Sequence, residues 1–332
     1  MATLPSKAGA ITLIDFAKSL DPDGKTATVV DLLSQTNEIL TDMAFIEGNL
    51  PTGHRTTIRT GLPTATWRQL YGGVPASKST RAQVDDVCGM LEARAEVDKD
   101  LYELNGNSAA FRLSEAQGFL EAMNQAMAGT LFYGDTSVNP ERFLGLSARY
   151  NSGTALNAQN LIKMGGASNA NMSIWLVVWG PNTCTGIFPK ASKAGLVHED
   201  LGIQDAFDAN NNRYRAYTDH WQWKIGISLR DWRYVVRICN IDLTALLADT
   251  GGTTVKIIEA MIKAINRIPA MGMGNAVFYV NRTVREMLSI QAMNKSQNIL
   301  TLAEGAHQFS VNFMGIPVRL CDQLLTTEAN VV

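Results

Sequence analysis

The chain has 332 residues, 46% apolar and 18% charged, with a formal net charge of −2. It is long enough for two or three core-bearing units. Its near-neutral balance excludes the strongly basic footprint of a nucleic-acid-gripping protein. No apolar run approaches the roughly 18 residues of a membrane-spanning helix. The start, Met1-Ala2-Thr3-Leu4-Pro5-Ser6-Lys7, lacks a secretory signal pattern. Cys88, Cys184, Cys239 and Cys321 are scattered without a C-x-x-C pair and read as reduced thiols, mostly small core residues.

Residues 1–50 read as an N-terminal arm. Thr28 to Ile46 shows helical spacing at Val29, Leu32, Leu33, Ile39 and Leu40. The segment is short and mixed in composition, with no long acidic or coiled-coil run, so the mature chain is expected to keep it. In residues 51–78, His54–Thr60 and Ala65–Leu70 are Thr-rich strand candidates around the turn Gly61-Leu62-Pro63-Thr64. Such a hairpin has no core of its own and is marginal alone in water. It is expected to find its order on a neighbouring subunit, with Arg55, Arg59 and Arg68 as polar complement and Trp67 as anchor.

From Ser79 to Leu104 the spacing of Val84, Val87, Leu91 and Ala95 predicts a helix. A second helix follows Asn105-Gly106-Asn107. Ser114-Glu115-Ala116-Gln117 reads as its capping box, and Leu113, Ala116, Leu120, Met123, Met127 and Leu131 recur at three and four. Gly134 to Gly153 is turn-rich. Ile174 to Trp179 is a continuous apolar strand, which implies burial on both faces.

Trp221, Trp223, Ile225, Ile227 and Leu229 alternate with Gln222, Lys224, Gly226 and Ser228, a half-buried strand. The phase flips at Arg230-Asp231, where Trp232, Tyr234, Val236 and Ile238 take over, so a bulge or turn is expected. Thr253 to Ile268 is an amphipathic helix before Pro269. Ala276–Val280 is a strand and Thr283–Met293 a helix. Phe309–Phe313 and Ile316–Leu320 form a hairpin about Met314-Gly315.

Catalytic grammar is absent. His54, His198, His220 and His307 have no metal-ligand spacing, and neither a nucleophile elbow nor a Walker A loop occurs. Gly272-Met273-Gly274 has Val277 at the third glycine position and reads as a turn. Glu92, Glu96, Asp98, Asp100 and Glu103, interleaved with Arg94 and Lys99, read as a solvated helix face. Arg213, Arg215, Arg230, Arg233 and Arg237 lie among aromatics. Trp221, Trp223 and Trp232 are in phase with apolar strand faces, so they read as core, with the arginines pointing outward to acidic groups across subunit contacts. No catalytic, cofactor or metal residue is expected.

The stretches Phe132-Tyr133-Gly134-Asp135, Pro140 to Tyr150, Trp179 to Gly195 and Leu229-Arg230-Asp231-Trp232-Arg233 give the chain its most distinctive order. In these it resembles the major capsid proteins of tailed bacteriophages, which share the Hong Kong 97-type shell fold. The resemblance implies an α+β protein: an N-terminal arm (1–50), an extended hairpin loop (51–78), a peripheral domain with a long spine helix (79–160), an axial domain (161–275) and return strands with a helix closing the peripheral domain (276–332). It implies a structural protein that assembles as pentamers and hexamers into an icosahedral shell enclosing double-stranded DNA, without sequence-specific binding. Manufacture in the host bacterial cytoplasm, a separate scaffolding protein, a portal and a cement or decoration protein come with it. Arg55, Arg59, Trp67, Arg68, Arg230 and Arg233 are the expected inter-subunit residues. Some relatives cross-link through lysine; here only Lys78 is expected near the hairpin base. Two other readings stand beside this one: an encapsulin-like nanocompartment shell, and an enzyme with a pocket among Trp221, Trp223 and Trp232.

Overall fold

The computed structural model describes Ile11, Asp15 and residues 35–104, 108–293, 300–305 and 308–332; at 108, 110, 293, 300–305 and 308–310 it describes the backbone alone. Strands β1 (Phe45–Glu47), β2 (Gly53–Gly61), β3 (Thr80–Val87) and β4 (Gly89–Asp98) precede the long helix α1 (Ser108–Tyr133). β5 (Leu161–Lys163), β6 (Asn171–Trp179), β7 (Cys184–Phe188), β8 (Leu196–Phe207), β9 (Arg213–Leu229) and β10 (Val235–Asp242) follow. Then come α2 (Leu243–Ala248), α3 (Ile257–Arg267), β11 (Asn275–Val280), α4 (Arg282–Met293), β12 (Leu300–Gly305), β13 (Gln308–Phe313) and β14 (Ile316–Leu320).

The central sheet is built around β6, every residue of which is buried. β10 and β11 flank it antiparallel, β5 extends the sheet beyond β10, and β14, β13 and β12 extend it beyond β11. Alternation along β6 serves two cores. Met172, Ile174, Leu176 and Val178 face α3 and α4, meeting Ile257, Ile258, Met261, Val284 and Leu288. Trp175, Val177 and Trp179 face the C-terminal half of α1, meeting Met127, Ala128, Leu131 and Phe132. A strand covered on both sides reads as an unbroken apolar run for this reason.

A second, outer sheet is the antiparallel trio β8–β9–β4. Most of β9 lies between β8 and β4, whereas its last residues, Gly226–Leu229, pair with β7. One 17-residue strand thus ties the two sheets together. α1 lies on the outer sheet through Phe119, which stacks on Trp221 at 5.3 Å and 14° between ring planes, and through Met123.

Several expectations hold. β9 buries Trp221, Ile225 and Ile227, with Trp223 half-buried. Its phase break is a helical turn, Trp232–Tyr234, capped by Asp231, whose carboxylate accepts from the Arg233 N–H at 3.1 Å. Met314 and Gly315, with φ of 51° and 82°, make the two-residue turn between β13 and β14.

Others are corrected. Residues 79–104 are mainly the strands β3 and β4, not a helix. Leu91, Ala93, Ala95 and Val97 point inward and alternate with Met90, Glu92, Arg94, Glu96 and Asp98; a set picked at 84, 87, 91 and 95 fits a helix only because it skips this period of two. The carboxylates read as a helix face therefore lie on a strand and the turn after it. α1 starts at Ser108, so Ser114 sits inside the helix, and Leu113 is 65% exposed while Phe111 is buried. The hairpin's return strand is β3, not Ala65–Leu70, and Lys78 consequently lies at its far end, not its base. In 276–332, β11 pairs with β6 and β14 with β11, so these strands extend the central sheet. Within 161–275, β8 and most of β9 belong to the outer sheet. Of the helix read over 28–46, the part before residue 35 lies outside the described residues, as does His307; the rest is one turn, Ile39–Asp42, followed by β1.

Candidate assembly surface

The segment that leaves the body is the ribbon β2–β3 with its loop, residues 62–79. Thr56, Thr57, Ile58, Thr60 and Val84 favour extended backbone. The ladder runs in register from Gly53↔Val87 at the root to Arg59↔Arg81, then shifts by one residue before Gly61↔Thr80 at the far end.

The root is held by buried polar groups. A Cβ on Gly53 would stand 2.0 Å from the Asp86 carbonyl oxygen, so only glycine fits. The buried Asp86 carboxylate accepts from Ser228 Oγ at 2.9 Å and pairs with Arg149 at 2.8 Å. Arg149 also donates to the Leu144 and Ile227 carbonyls, both at 3.3 Å. Asn49 clamps Arg55, accepting from its N–H at 2.7 Å and donating to its carbonyl at 2.8 Å. His54 is buried, with Nε2 2.9 Å from Arg230 Nη2. Burial first, and the Arg230 charge second, pull its pKa below 6.5, so the ring is neutral at physiological pH.

Along the ribbon, Arg55 makes a bidentate pair with Asp85, both contacts at 2.6 Å. Thr60 and Thr80 share a hydrogen bond of 3.0 Å. Beyond them the apolar side chains are uncovered. Trp67 and Tyr71 are fully exposed, Leu70 is 87% exposed and Leu62 79%. Soluble surfaces carry single apolar residues readily, but a cluster of this kind marks a contact site.

The expected contact residues therefore divide. Arg59, Trp67 and Arg68 lie exposed on the ribbon and loop. Arg55 is satisfied within the ribbon. Arg230 reaches the root through His54, and Arg233 pairs locally with Asp231 at 2.7 Å. Arg237 does not point outward. It is 2% exposed, pairs with Glu328 at 2.9 Å, donates to the Tyr150 carbonyl at 2.8 Å and lies over Trp175. Glu328 also accepts from Tyr133 and Ser173, which fastens the segment around it to both α1 and β6. Arg81, Asp86 and Arg149 were missed by sequence reading; the alternation of Thr80–Val87 would have revealed the strand that carries the first two.

Other chemistry is thin. Burial pushes the thiols of Cys88 and Cys239 up to about 11 and those of Cys184 and Cys321 to about 12, far from a reactive thiolate. Among the described residues no group of three or more His, Cys, Asp or Glu could hold a metal, and no helix is long and apolar enough to cross a membrane. The three tryptophans do not share a pocket. Trp221 lines a cleft of about 560 Å³ with Arg112, Asp200, Asp219 and His198, whereas Trp223 and Trp232 pack against the central core. Arg112 in that cleft is saturated by Asp200 and Asp219.

A body with two buried cores, carrying among the described residues an arm rooted by buried polar groups and bare at its apolar end, belongs to the class of structural proteins that work by assembly. A family model described as "Major capsid protein GP7" matches residues 21–332, and the chain belongs to that family. A chain of the bacteriophage Epsilon15 structure is 34% identical, with 100% of this chain and 99% of that one covered and a TM-score of 0.80. More distant are the capsid of bacteriophage JBD30 (11% identity, 88% and 93% covered, TM-score 0.47) and the holo-SrpI encapsulin complex of Synechococcus elongatus PCC 7942 (10%, 70% and 96%, 0.42). A search of curated protein sequences returned no match. The chain is thus a structural component of a bacteriophage shell with the Hong Kong 97-like fold.

Proposed function

We propose that copies of this chain close into an icosahedral shell of pentamers and hexamers around a double-stranded DNA genome, without catalysing a reaction. The observation that carries this reading is the arm: its root is locked by Asp86, Arg149 and Ser228, while Leu62, Trp67, Leu70 and Tyr71 are left uncovered by the described residues. Ordering them costs conformational entropy that burial on a neighbouring copy offsets. In this reading α1 with β4, β8 and most of β9 forms the peripheral domain, the central sheet forms the axial domain, and the residues before β1 form an arm. The net charge of −2 suits a wall that encloses DNA without gripping its sequence. In this reading assembly takes place in the host bacterial cytoplasm with a separate scaffolding protein and a portal. Family membership favours a phage shell over a nanocompartment.

Electron microscopy of the purified protein is expected to show shells of uniform size. Trp67→Ala is expected to impair assembly with the melting temperature of the unassembled subunit nearly unchanged. A small discrete oligomer that stays soluble under assembly conditions, or a Trp67→Ala subunit that unfolds, overturns the reading.

A further inference from the structure

The ribbon contains one unbalanced rung. Directly opposite residues of an antiparallel pair share a face, roughly 5 Å apart at Cβ, and like charges there are destabilising. Arg55 stands beside Asp85 and is satisfied. Further out, Arg59 stands opposite Arg81, and both are exposed. Residues 57–84 hold four cations, Arg59, Arg68, Lys78 and Arg81, and no acidic residue.

The complementary surface lies on the outer sheet. β8 is a 12-residue strand that pairs with β9 and leaves its other edge open among the described residues. Such an edge is a template for an added strand. It carries Glu199, Asp200 and Asp205 and neither Lys nor Arg, which disfavours pairing with another copy of itself. Asp200 is taken by Arg112, and Asp205 has Arg213 at 3.8 Å. Glu199 is exposed on the face turned away from α1, in a row with His220 and Arg94 across the three strands. A ribbon laid against β8 continues that row, with an arginine beside the carboxylate.

We propose that Arg59 and Arg81 form a carboxylate clamp, and that its ligand is Glu199 on the β8 edge of a second copy of this chain. The clamp explains why two arginines face each other on an exposed ribbon, and it separates them from Arg55, which works within its own chain. It rests on the reading that the arm docks on a neighbouring copy.

Charge exchange in the full-length chain tests it, with assembly followed by light scattering and electron microscopy. Arg59→Glu with Arg81→Glu, and separately Glu199→Arg, are each expected to slow assembly roughly tenfold or more, with the subunit's melting temperature held. The triple exchange is expected to restore most of the rate. Arg59→Gln with Arg81→Gln is expected to give a smaller loss that fades as salt is raised. Slow assembly of the double variant without rescue by Glu199→Arg overturns Glu199 as the ligand. Wild-type assembly of the double variant overturns the clamp. In that case a Trp67→Ala defect leaves the arm reading standing, whereas its absence removes both.

Discussion

At the scale of single residues, the strongest constraints are buried charges held by an opposite charge, as Arg237 is by Glu328. Removing one member of a buried ion pair strands the other in low dielectric, at about 3–5 kcal/mol, whereas replacing both by apolar groups is often nearly neutral. Glu328→Ala is therefore expected to destabilise the unassembled subunit by about that amount in urea unfolding. Arg237→Met with Glu328→Leu should cost much less; equal losses would mean that packing, not charge, holds the site. His54 gives a pH dependence whose sign follows from its neutral folded state. The unfolded chain takes up a proton near pH 6.5 and the folded chain resists it, so stability falls as pH drops through and below 6.5. His54→Gln keeps an acceptor for Arg230 and should flatten that part of the profile in thermal melts. An unchanged slope would show that His54 protonates without disturbing the root.

At the scale of elements, β9 is the seam of the molecule. Trp221 is clasped between Phe119 at 5.3 Å and His198 at 5.2 Å, whereas Trp223, two residues on, is half-buried. Trp221→Ala is expected to lower stability by about 3–5 kcal/mol through the cavity it leaves. Trp223→Ala should cost less and Lys224→Ala little; equal small effects on thermal stability would contradict the packing described. The alternation that predicts β9 is legible in sequence because one face is apolar throughout. The alternation of β4 is equally regular but weaker, since Ala93 and Ala95 stand where large residues would advertise a strand. The helix start at Ser108 was hidden for a similar reason: Ser114-Glu115-Ala116-Gln117 satisfies the cap pattern, yet burial of Phe111 carries the helix further back. Tertiary packing overrides local preference in both places.

At the scale of the whole molecule, the distribution of cover defines the function. Both faces of β6 are buried, and the outer sheet has α1 on one side. Two of the surfaces left bare among the described residues are the arm's end, cationic and apolar, and the β8 edge, which carries Glu199, Asp200 and Asp205. If the arm docks on the β8 edge as proposed, the contact is head-to-tail, and such interfaces close into rings when the rotation permits. The assembly experiments with Trp67 and with the arginine clamp belong to this scale, because neither surface contributes to the core of a single copy.

The sequence by itself determined where the chain is extended or helical when one face is consistently apolar: β6, β9, α3, α4 and the turn at Met314-Gly315. It also carried the ordered pattern that placed the chain among shell proteins, and the composition of an arm that cannot support itself. Only the tertiary structure decided that β2 pairs with β3 across an 18-residue loop, counted from Leu62 to Ser79. It alone decided that β11 joins β6 and β14 joins β11, that Arg237 meets Glu328, and that Arg59 faces Arg81. Periodicity is a property of neighbours in sequence and records which face is buried. Pairing joins residues far apart in the chain, so it is fixed only when those buried faces meet.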